Sequence, residues 1–207
     1  GLHRWFDVEY DKTEPISKAA ADFSEVIGVE HIEPIYIPVK TGVKMNDPDY
    51  SVQWHYHNTG QGSGRKGIDM KLQEAWDQYG MFGNSNVIVA ILDSGVDYDH
   101  PDLAGNIWTN EAELNGKPGV DDDGNGYRDD VHGYNFVAGS AEIHPEDHGT
   151  HVAGTVGAVN NNGVGVCGVA GGRYPEKGVR LMCLQIMDAT LPDKGASLSL
   201  IHISEPT

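Results

Sequence analysis

Two apolar stretches mark the centre of this chain. Residues 87–92 are six apolar residues in a row, four of them valine or isoleucine, and residues 179–187 form a second, mostly apolar stretch. A short run that is apolar on both faces is typical of a strand buried in a parallel sheet, with helices covering each face. Together with a short strand near residues 133–137, the pattern predicts an α/β fold with a parallel sheet in three layers.

Two segments have helical periodicity. In residues 68–79, apolar side chains recur at intervals of three and four, and Gly80 follows as a left-handed stop. In residues 15–27 the same spacing begins at a proline, which suits a first helical turn, and Gly28 is the corresponding stop. We expect one helix in each segment.

Composition and periodicity divide most of the chain into three parts. Residues 2–10 and 29–37 are expected to form strands on either side of the first helix, so that residues 1–39 make a small α+β unit. Residues 40–67 lose this periodicity and are rich in turn-forming residues, which is typical of a linker. The α/β domain then occupies residues 68–196.

A third helix is expected after Asp147, although its sequence is unfavourable for a helix. Each of its glycines costs about 1 kcal/mol relative to alanine in a helix interior, so tertiary packing has to hold it. Gly149, Ala153 and Gly157 recur every fourth residue and would let a neighbouring element approach closely. Asp147 is placed as the N-cap. His148 lies in the first turn, where the helix dipole disfavours a protonated imidazole.

Asp93 and His148 are the candidate catalytic residues. Asp93 ends the first buried strand, and α/β sheets bind ligands at the carboxyl ends of their strands. A neutral imidazole suits a general base, so the pair predicts two members of an Asp-His-Ser triad, and no nucleophile is identifiable. As an alternative, His148 and His151 share a helix face as zinc ligands would, but the His-Glu-x-x-His spacing of zinc hydrolases is missing.

Acidic residues crowd into residues 121–130, and their spacing predicts a calcium site. The pattern Asp-x-Asp-x-Asn-Gly matches the beginning of an EF-hand loop, whose oxygen ligands converge around a glycine turn. The candidate ligands are Asp121, Asp123, Asn125, the carbonyl of Tyr127, Asp129 and Asp130. The alternative is a solvated acidic loop, which has to keep its carboxylates apart because two of them about 5 Å apart repel by about 3 kcal/mol.

The charge and composition of the chain favour some classes of binding partner over others. The formal charge of -17, from 31 acidic and 14 basic residues, disfavours nucleic acid and anionic lipid and favours cations. No apolar stretch approaches the roughly 20 residues that span a bilayer. Cys167 and Cys183 lie in apolar surroundings and are expected to be buried free thiols.

Two blocks of sequence resemble the subtilisin-like serine peptidases, the subtilases. They are residues 90–97, Ala-Ile-Leu-Asp-Ser-Gly-Val-Asp, and residues 148–155, His-Gly-Thr-His-Val-Ala-Gly-Thr, and the resemblance extends over about residues 45–190. It implies a serine endopeptidase that acts on proteins or peptides and is secreted or held in the cell envelope. Asp93 would orient the imidazole of His148, and His148 would be the general base.

The resemblance also implies a prodomain and a second calcium site. Residues 1–39 resemble the second half of the inhibitory prodomain of subtilases, an intramolecular inhibitor that is removed at a site expected between residues 39 and 50. In many subtilases the aspartate of a His-Pro-Asp-Leu turn, here Asp102, binds calcium together with a loop after the histidine helix. The corresponding ligands are Asn162 or Asn161 and the carbonyls of Val159, Val164 and Val166.

The end of the chain departs from the family. The oxyanion asparagine and nucleophilic serine of subtilases are expected well after residue 187, whereas residues 197–207 resemble a translated sequencing adapter. We expect the native sequence to end near Ala196 and do not interpret the serines of this tail as nucleophiles. The chain alone is then expected not to cleave peptides at a useful rate. The alternative is a non-catalytic calcium-binding or adhesion domain, which the intact Asp-His pair disfavours.

Overall fold

The computed structural model describes residues 16–29, 32 and 42–187. The chain divides into two compact units, residues 1–40 and 41–207. None of the described helices is long and apolar enough to cross a membrane.

The first unit contains helix α1, Ile16–Ser24. This helix is shorter than its periodicity predicted, because Val26 and Ile27 lie beyond it in a turn with exposed side chains. Exposed apolar side chains gain no burial from another helical turn, and short helices depend on such packing. Gly28 has the predicted left-handed φ, 95°, but it belongs to this turn. The two strands predicted for this unit fall on residues that are almost all outside the described ranges.

A parallel sheet forms the centre of the second unit. The α-helices and β-strands described in this unit are α2 (Leu72–Tyr79), β1 (Ile88–Asp93), α3 (Glu111–Leu114), β2 (Gly133–Asn135), α4 (Asp147–Gly157), β3 (Gly172–Arg173), β4 (Glu176–Lys177) and β5 (Arg180–Gln185). β5 lies between β1 and β2 and is parallel to both, while β3 and β4 pair as an antiparallel hairpin. The predicted parallel α/β sheet is confirmed.

The strand register brings polar residues together at one edge of the sheet. Asp93 at the end of β1 and Asn135 at the end of β2 both pair with Gln185 at the end of β5. In parallel sheets this carboxyl edge is where binding sites form.

Helix α4 covers one face of the sheet with its small residues. Ala153 is fully buried, and an added Cβ at Gly157 would lie 3.1 Å from the Leu181 side chain of β5. The predicted close approach of this helix is therefore observed. The buried core around it contains Ile91, Val96, Leu103, Ile143, Val179 and Cys183. Cys183 and Cys167 are both buried free thiols, as expected.

The opposite face of β1 is open in the described part of the chain. Ile88 and Leu92 are 42% and 47% exposed. The prediction that β1 is buried on both faces is therefore not met within residues 42–187, where the helical layer formed by α4 packs on one face only. The apolar residues on one face of β1 are covered by α4, and no described element covers those on the other face.

Residues 42–67 are packed, although their composition predicted a linker. Met45 and Tyr56 are buried with Trp76 of α2 and Phe82 in a second core cluster. The Trp76 and Phe82 rings stack with their centroids 5.6 Å apart, and the Tyr56 hydroxyl donates to the carbonyl of Thr155 in α4 at 3.2 Å. Isolated core residues in an irregular segment have no periodicity, so the sequence pattern did not reveal this packing.

Helix α2 begins later than predicted and ends as predicted. Ile68 lies outside the helix with an exposed side chain, and the helix begins at Leu72. Gly80 follows it with a left-handed φ of 63°, and its N–H donates to the carbonyl of Trp76 at 2.8 Å. A glycine adopts this conformation without strain and thereby satisfies a carbonyl at the helix end.

Candidate active site

Asp93 ends β1 in a buried position. The residue is 7% exposed, and its Oδ1 accepts hydrogen bonds from the backbone N–H and the hydroxyl of Ser94, at 2.7 and 3.1 Å. Beside it, the Gln185 side chain accepts from the N–H of His144 at 2.9 Å. The strand register thus places Gln185 where it holds the segment that leads into α4.

His148 is the second residue of α4, and its side chain is 74% exposed. The prediction of Asp147 as N-cap is wrong. Glu146 takes the cap position with extended backbone angles and makes no side-chain capping bond, whereas Asp147 is already the first helical residue. The first helical bond runs from the N–H of Thr150 to the carbonyl of Glu146 at 3.0 Å.

The structure brings Asp93 and His148 together, with Nδ1 of His148 2.7 Å from Oδ1 of Asp93. Burial raises the pKa of Asp93, but hydrogen bonds from His148 and Ser94 lower it by more, so this pKa lies below its usual range. An ionised carboxylate can only accept, which assigns the ring proton of His148 to Nδ1. In the neutral ring, Nε2 then has the free lone pair that a general base needs.

The loop after β1 and the first turn of α4 are in direct contact. The Ser94 hydroxyl accepts from the N–H of Gly149 at 3.2 Å, and the Thr150 hydroxyl accepts from the N–H of Asp97 at 2.9 Å. An added Cβ at Gly149 would overlap the carbonyl oxygen of Gly95. These contacts show how tertiary packing holds a glycine-rich helix. Ser94 was not among the predicted site residues, and its place directly after the aspartate was the available signal.

A carboxylate cluster forms at the acidic loop. Glu113 of α3, Asp121 and Asp123 offer oxygens that all lie within 4.8 Å of one another. Glu113 is 6% exposed, and its carboxylate accepts from the N–H groups of Asp122 and Asp129, both at 2.7 Å. Glu113 was not predicted as a ligand, because it precedes the loop on a separate element. The donor set of clustered carboxylates fits a hard cation such as calcium.

The other predicted ligands of this loop lie beside the cluster. Both carboxylate oxygens of Asp129 accept from the N–H of Gly119 at 2.9 Å. Asp130 accepts from the side-chain amide of Asn125 at 3.0 Å, and the amide oxygen of Asn125 accepts from the N–H of Tyr127 at 2.7 Å. Of the predicted aspartate ligands, Asp121 and Asp123 belong to the cluster, and Asp129 and Asp130 do not.

A cleft of about 750 Å³ runs along α4, with His55, His100 and His151 among its lining residues. Within the described ranges, the acidic cluster is the only group of three or more His, Cys, Asp or Glu ligand atoms so close together. The zinc alternative for His148 and His151 therefore has no third ligand there. His148 itself does not line this cleft.

The segment that contains Asp93 and His148 is similar to a known protein family. The profile of the Subtilase family matches residues 84–174, which include Asp93 and His148. Subtilisin-like protease 1 of Plasmodium vivax is 43% identical over 132 residues, which are 63% of this chain and 19% of that protein. Residues 84–174 are thus similar to the subtilases.

Two further proteins are each similar to about two thirds of this chain. Neuroendocrine convertase 2 of Homo sapiens is 37% identical over 149 residues, which are 68% of this chain and 19% of that protein. The crystal structure of an Aeromonas sobria serine protease with a chaperone has 29% identity and a TM-score of 0.49, and covers 70% of this chain and 20% of that chain. The chain spans about a fifth of the length of these curated relatives.

Asp102 is in contact with the loop of residues 159–166, where the resemblance implied a second calcium site. The Asp102 carboxylate accepts from the side-chain amide of Asn162 at 2.8 Å and from the N–H of Val166 at 2.9 Å. The N–H of Val159 donates to the Asp102 carbonyl at 2.9 Å, and the N–H of Val164 to the Asn162 amide oxygen at 2.8 Å. The structure thus brings together the residues that the resemblance indicated.

A second carboxylate, Asp47, joins this loop from the segment that was predicted as a linker. It is buried and accepts from the N–H groups of Asn161 and Asn162, at 2.8 and 3.3 Å. Burial raises the pKa of Asp102, and the negative charge of Asp47 raises it further. A buried carboxylate with a second buried carboxylate beside it is a donor set that fits a cation.

Proposed function

We propose that this chain carries the aspartate and the general base of a serine endopeptidase, which hydrolyses peptide bonds in proteins or peptides. The observation that carries the proposal is the 2.7 Å contact between Nδ1 of His148 and Oδ1 of Asp93. Both residues lie in the part that matches the subtilase family, and the Plasmodium vivax relative is named a protease.

The pair would act on a serine hydroxyl. Nε2 of His148 would take the serine proton as the oxygen attacks the peptide carbonyl, while Asp93 holds Nδ1 and stabilises the imidazolium that forms. The resulting acyl-enzyme would be hydrolysed by water. Among the described residues His148 is hydrogen-bonded through Nδ1 to Asp93 only. We therefore place the serine and the oxyanion asparagine outside the described residues. Because residues 197–207 do not resemble the family segment that carries them, we expect the 207-residue chain alone not to hydrolyse peptides.

The test is peptide hydrolysis by the product of the complete source gene, obtained by sequencing the locus past the codon for Ala196. His148→Ala should lower kcat by at least about 10,000-fold, the loss known for triads of this kind. His151→Ala, a matched change one turn further along α4, should lower it by less than about tenfold. Undiminished hydrolysis by the His148 variant would refute the assignment.

The rival function is a calcium-binding or adhesion domain that has the fold without catalysis. It would be supported if the complete wild-type product binds calcium but hydrolyses no peptide. Peptide hydrolysis by the isolated 207-residue chain that depends on His148 would instead contradict the expectation that this chain alone is inactive.

We propose calcium as the cation of both acidic sites. In the first site, Glu113, Asp121 and Asp123 would hold the ion, because carboxylate oxygens are preferred calcium ligands. In the second, Asp102 would hold it together with Asp47 and the loop 159–166. The ion would supply the positive charge that these carboxylates lack.

We also propose that residues 1–39 are part of an intramolecular inhibitor and that the protein is exported. Support comes from the resemblance of these residues to a subtilase prodomain and from the separate compact unit that they form. A peptide of residues 1–39 added to the complete enzyme should inhibit hydrolysis, and a scrambled peptide should not.

A further inference from the structure

Ser94 lies between the strand and the helix that carry the two catalytic candidates. Its hydroxyl donates to Oδ1 of Asp93 at 3.1 Å and accepts from the N–H of Gly149 at 3.2 Å. Its backbone N–H donates to the same Oδ1 at 2.7 Å. The buried Ser94 side chain is thus hydrogen-bonded both to Asp93, at the end of β1, and to Gly149, directly after His148.

The Ser94 hydroxyl substitutes for the N-cap side-chain bond that α4 lacks. The first N–H groups of a helix have no helical partner, and a side chain at the N-cap usually accepts from one of them. Glu146 at the cap position makes no such bond, and the Gly149 N–H is the third of these groups. The Ser94 hydroxyl accepts from it instead, across 55 positions of sequence.

We propose that Ser94 is a positioning residue, which caps α4 from the neighbouring strand and fixes the Asp93 carboxylate that His148 contacts. This inference deepens the proposed function, on which its consequence for catalysis rests. Two parallel links result, since the Asp93 carboxylate contacts the His148 ring and the Ser94 hydroxyl contacts the Gly149 backbone. Together they fix both the position of the helix start and the rotation of the carboxylate.

Loss of the Ser94 hydroxyl should loosen both links. The Gly149 N–H would lose its acceptor, and Oδ1 of Asp93 would lose one of its donors. The carboxylate would then rotate more freely, and the hydrogen bond to Nδ1 of His148 would be present for a smaller part of the time. A threonine at this position retains the hydroxyl and should retain both bonds.

The experiment uses nuclear magnetic resonance on the 207-residue chain without substrate. The Nδ1 proton of His148 is assigned by its loss in Asp93→Asn, and exchange of the Gly149 amide is followed separately. In Ser94→Ala, we expect the Nδ1 signal to broaden or vanish and the Gly149 amide to exchange about fivefold faster, the effect of one lost hydrogen bond. Ser94→Thr should restore both signals to wild-type behaviour.

Thr150→Val is the matched control, because it removes another hydroxyl bond between the same loop and the same helix without touching Asp93. It should speed exchange of the Asp97 amide and leave the Nδ1 proton of His148 unchanged. The proposal is overturned if Ser94→Ala leaves the Nδ1 proton and the Gly149 exchange unchanged, or if Thr150→Val disturbs the Nδ1 proton equally. These readouts need no hydrolysis, so they remain decisive if the proposed peptidase activity is not found.

Discussion

Asp93 concentrates three donors on a single carboxylate oxygen. Oδ1 accepts from Nδ1 of His148 and from both the N–H and the hydroxyl of Ser94. Donors that bond the ionised form of an acid favour that form, which explains why the pKa of Asp93 is lowered although the group is buried. The ionised carboxylate in turn keeps the His148 ring proton on Nδ1 and leaves Nε2 free.

The lowered pKa of Asp93 predicts how stability depends on pH. The stabilisation from ionised Asp93 should be fully present above its unfolded pKa, near 4, and should be lost as pH falls through the lower folded value. At pH 7, Asp93→Asn should reduce the free energy of unfolding by about 1 to 2 kcal/mol. Urea unfolding at a series of pH values should show this difference shrinking in acid.

Asp99→Asn is the control for this titration, since Asp99 is an exposed carboxylate on the loop that follows β1. At pH 7 its stability should differ little from that of wild type, because substitutions of exposed residues seldom change stability by much. If the effect of Asp93→Asn were the same at pH 7 and in strong acid, the hydrogen bonds to the ionised carboxylate would not be its source.

Helix α4 and strand β1 determine each other's position. The helix has low intrinsic stability because of its glycines, yet two of them allow its neighbours to approach closely. Gly149 lies against the Gly95 carbonyl, and Gly157 lies against the Leu181 side chain. The same glycines that weaken the isolated helix therefore allow it to place His148 beside the end of β1.

Two glycines of α4 should respond in opposite directions to alanine. Gly149→Ala would overlap the Gly95 carbonyl oxygen, so it should destabilise the protein by about 2 kcal/mol or more. Gly154 has no atom within 4 Å of an added Cβ, so Gly154→Ala should stabilise by up to about 1 kcal/mol through helix propensity. Urea unfolding of both variants measures the difference. Equal stability of the two would show that α4 does not pack closely on the loop after β1.

The whole molecule has a large excess of negative charge. The net charge of -17 includes two places where carboxylates converge, one around Glu113 and one around Asp102 and Asp47. Convergent carboxylates destabilise a fold unless a cation or hydrogen bonds offset their repulsion. With a chelator present, added salt should therefore raise stability, because it screens the repulsion.

Calcium should raise the melting temperature of the chain. Saturating calcium, compared with a chelator, should raise Tm by about 5 to 10 °C, the effect of a few kcal/mol of linked binding. Asp123→Asn should remove one calcium ion per chain in titration calorimetry. Asp122→Asn is the matched control, because the neighbouring Asp122 carboxylate accepts a hydrogen bond from the N–H of Lys117 and is not part of the cluster. Unchanged calcium binding in Asp123→Asn would exclude the first site.

Local pattern revealed some features of the fold and of the site, but not all. The apolar runs predicted β1 and β5 as strands of one parallel sheet, and Gly80 marked the end of α2. The buried Tyr56 was missed because an irregular segment has no period to read. The acidic spacing identified Asp121 and Asp123, whereas Glu113 joins them only because α3 packs against the loop.

Features that depend on neighbours along the chain could be predicted from local pattern. Asp93 was expected at a strand end and His148 in a first helical turn, since hydrophobic period and turn chemistry are local properties. The 2.7 Å contact between the two groups, and the capping of the helix start by Ser94 instead of Asp147, arise from tertiary packing. These contacts join residues far apart in sequence, and their geometry depends on how closely glycine lets a helix approach a strand.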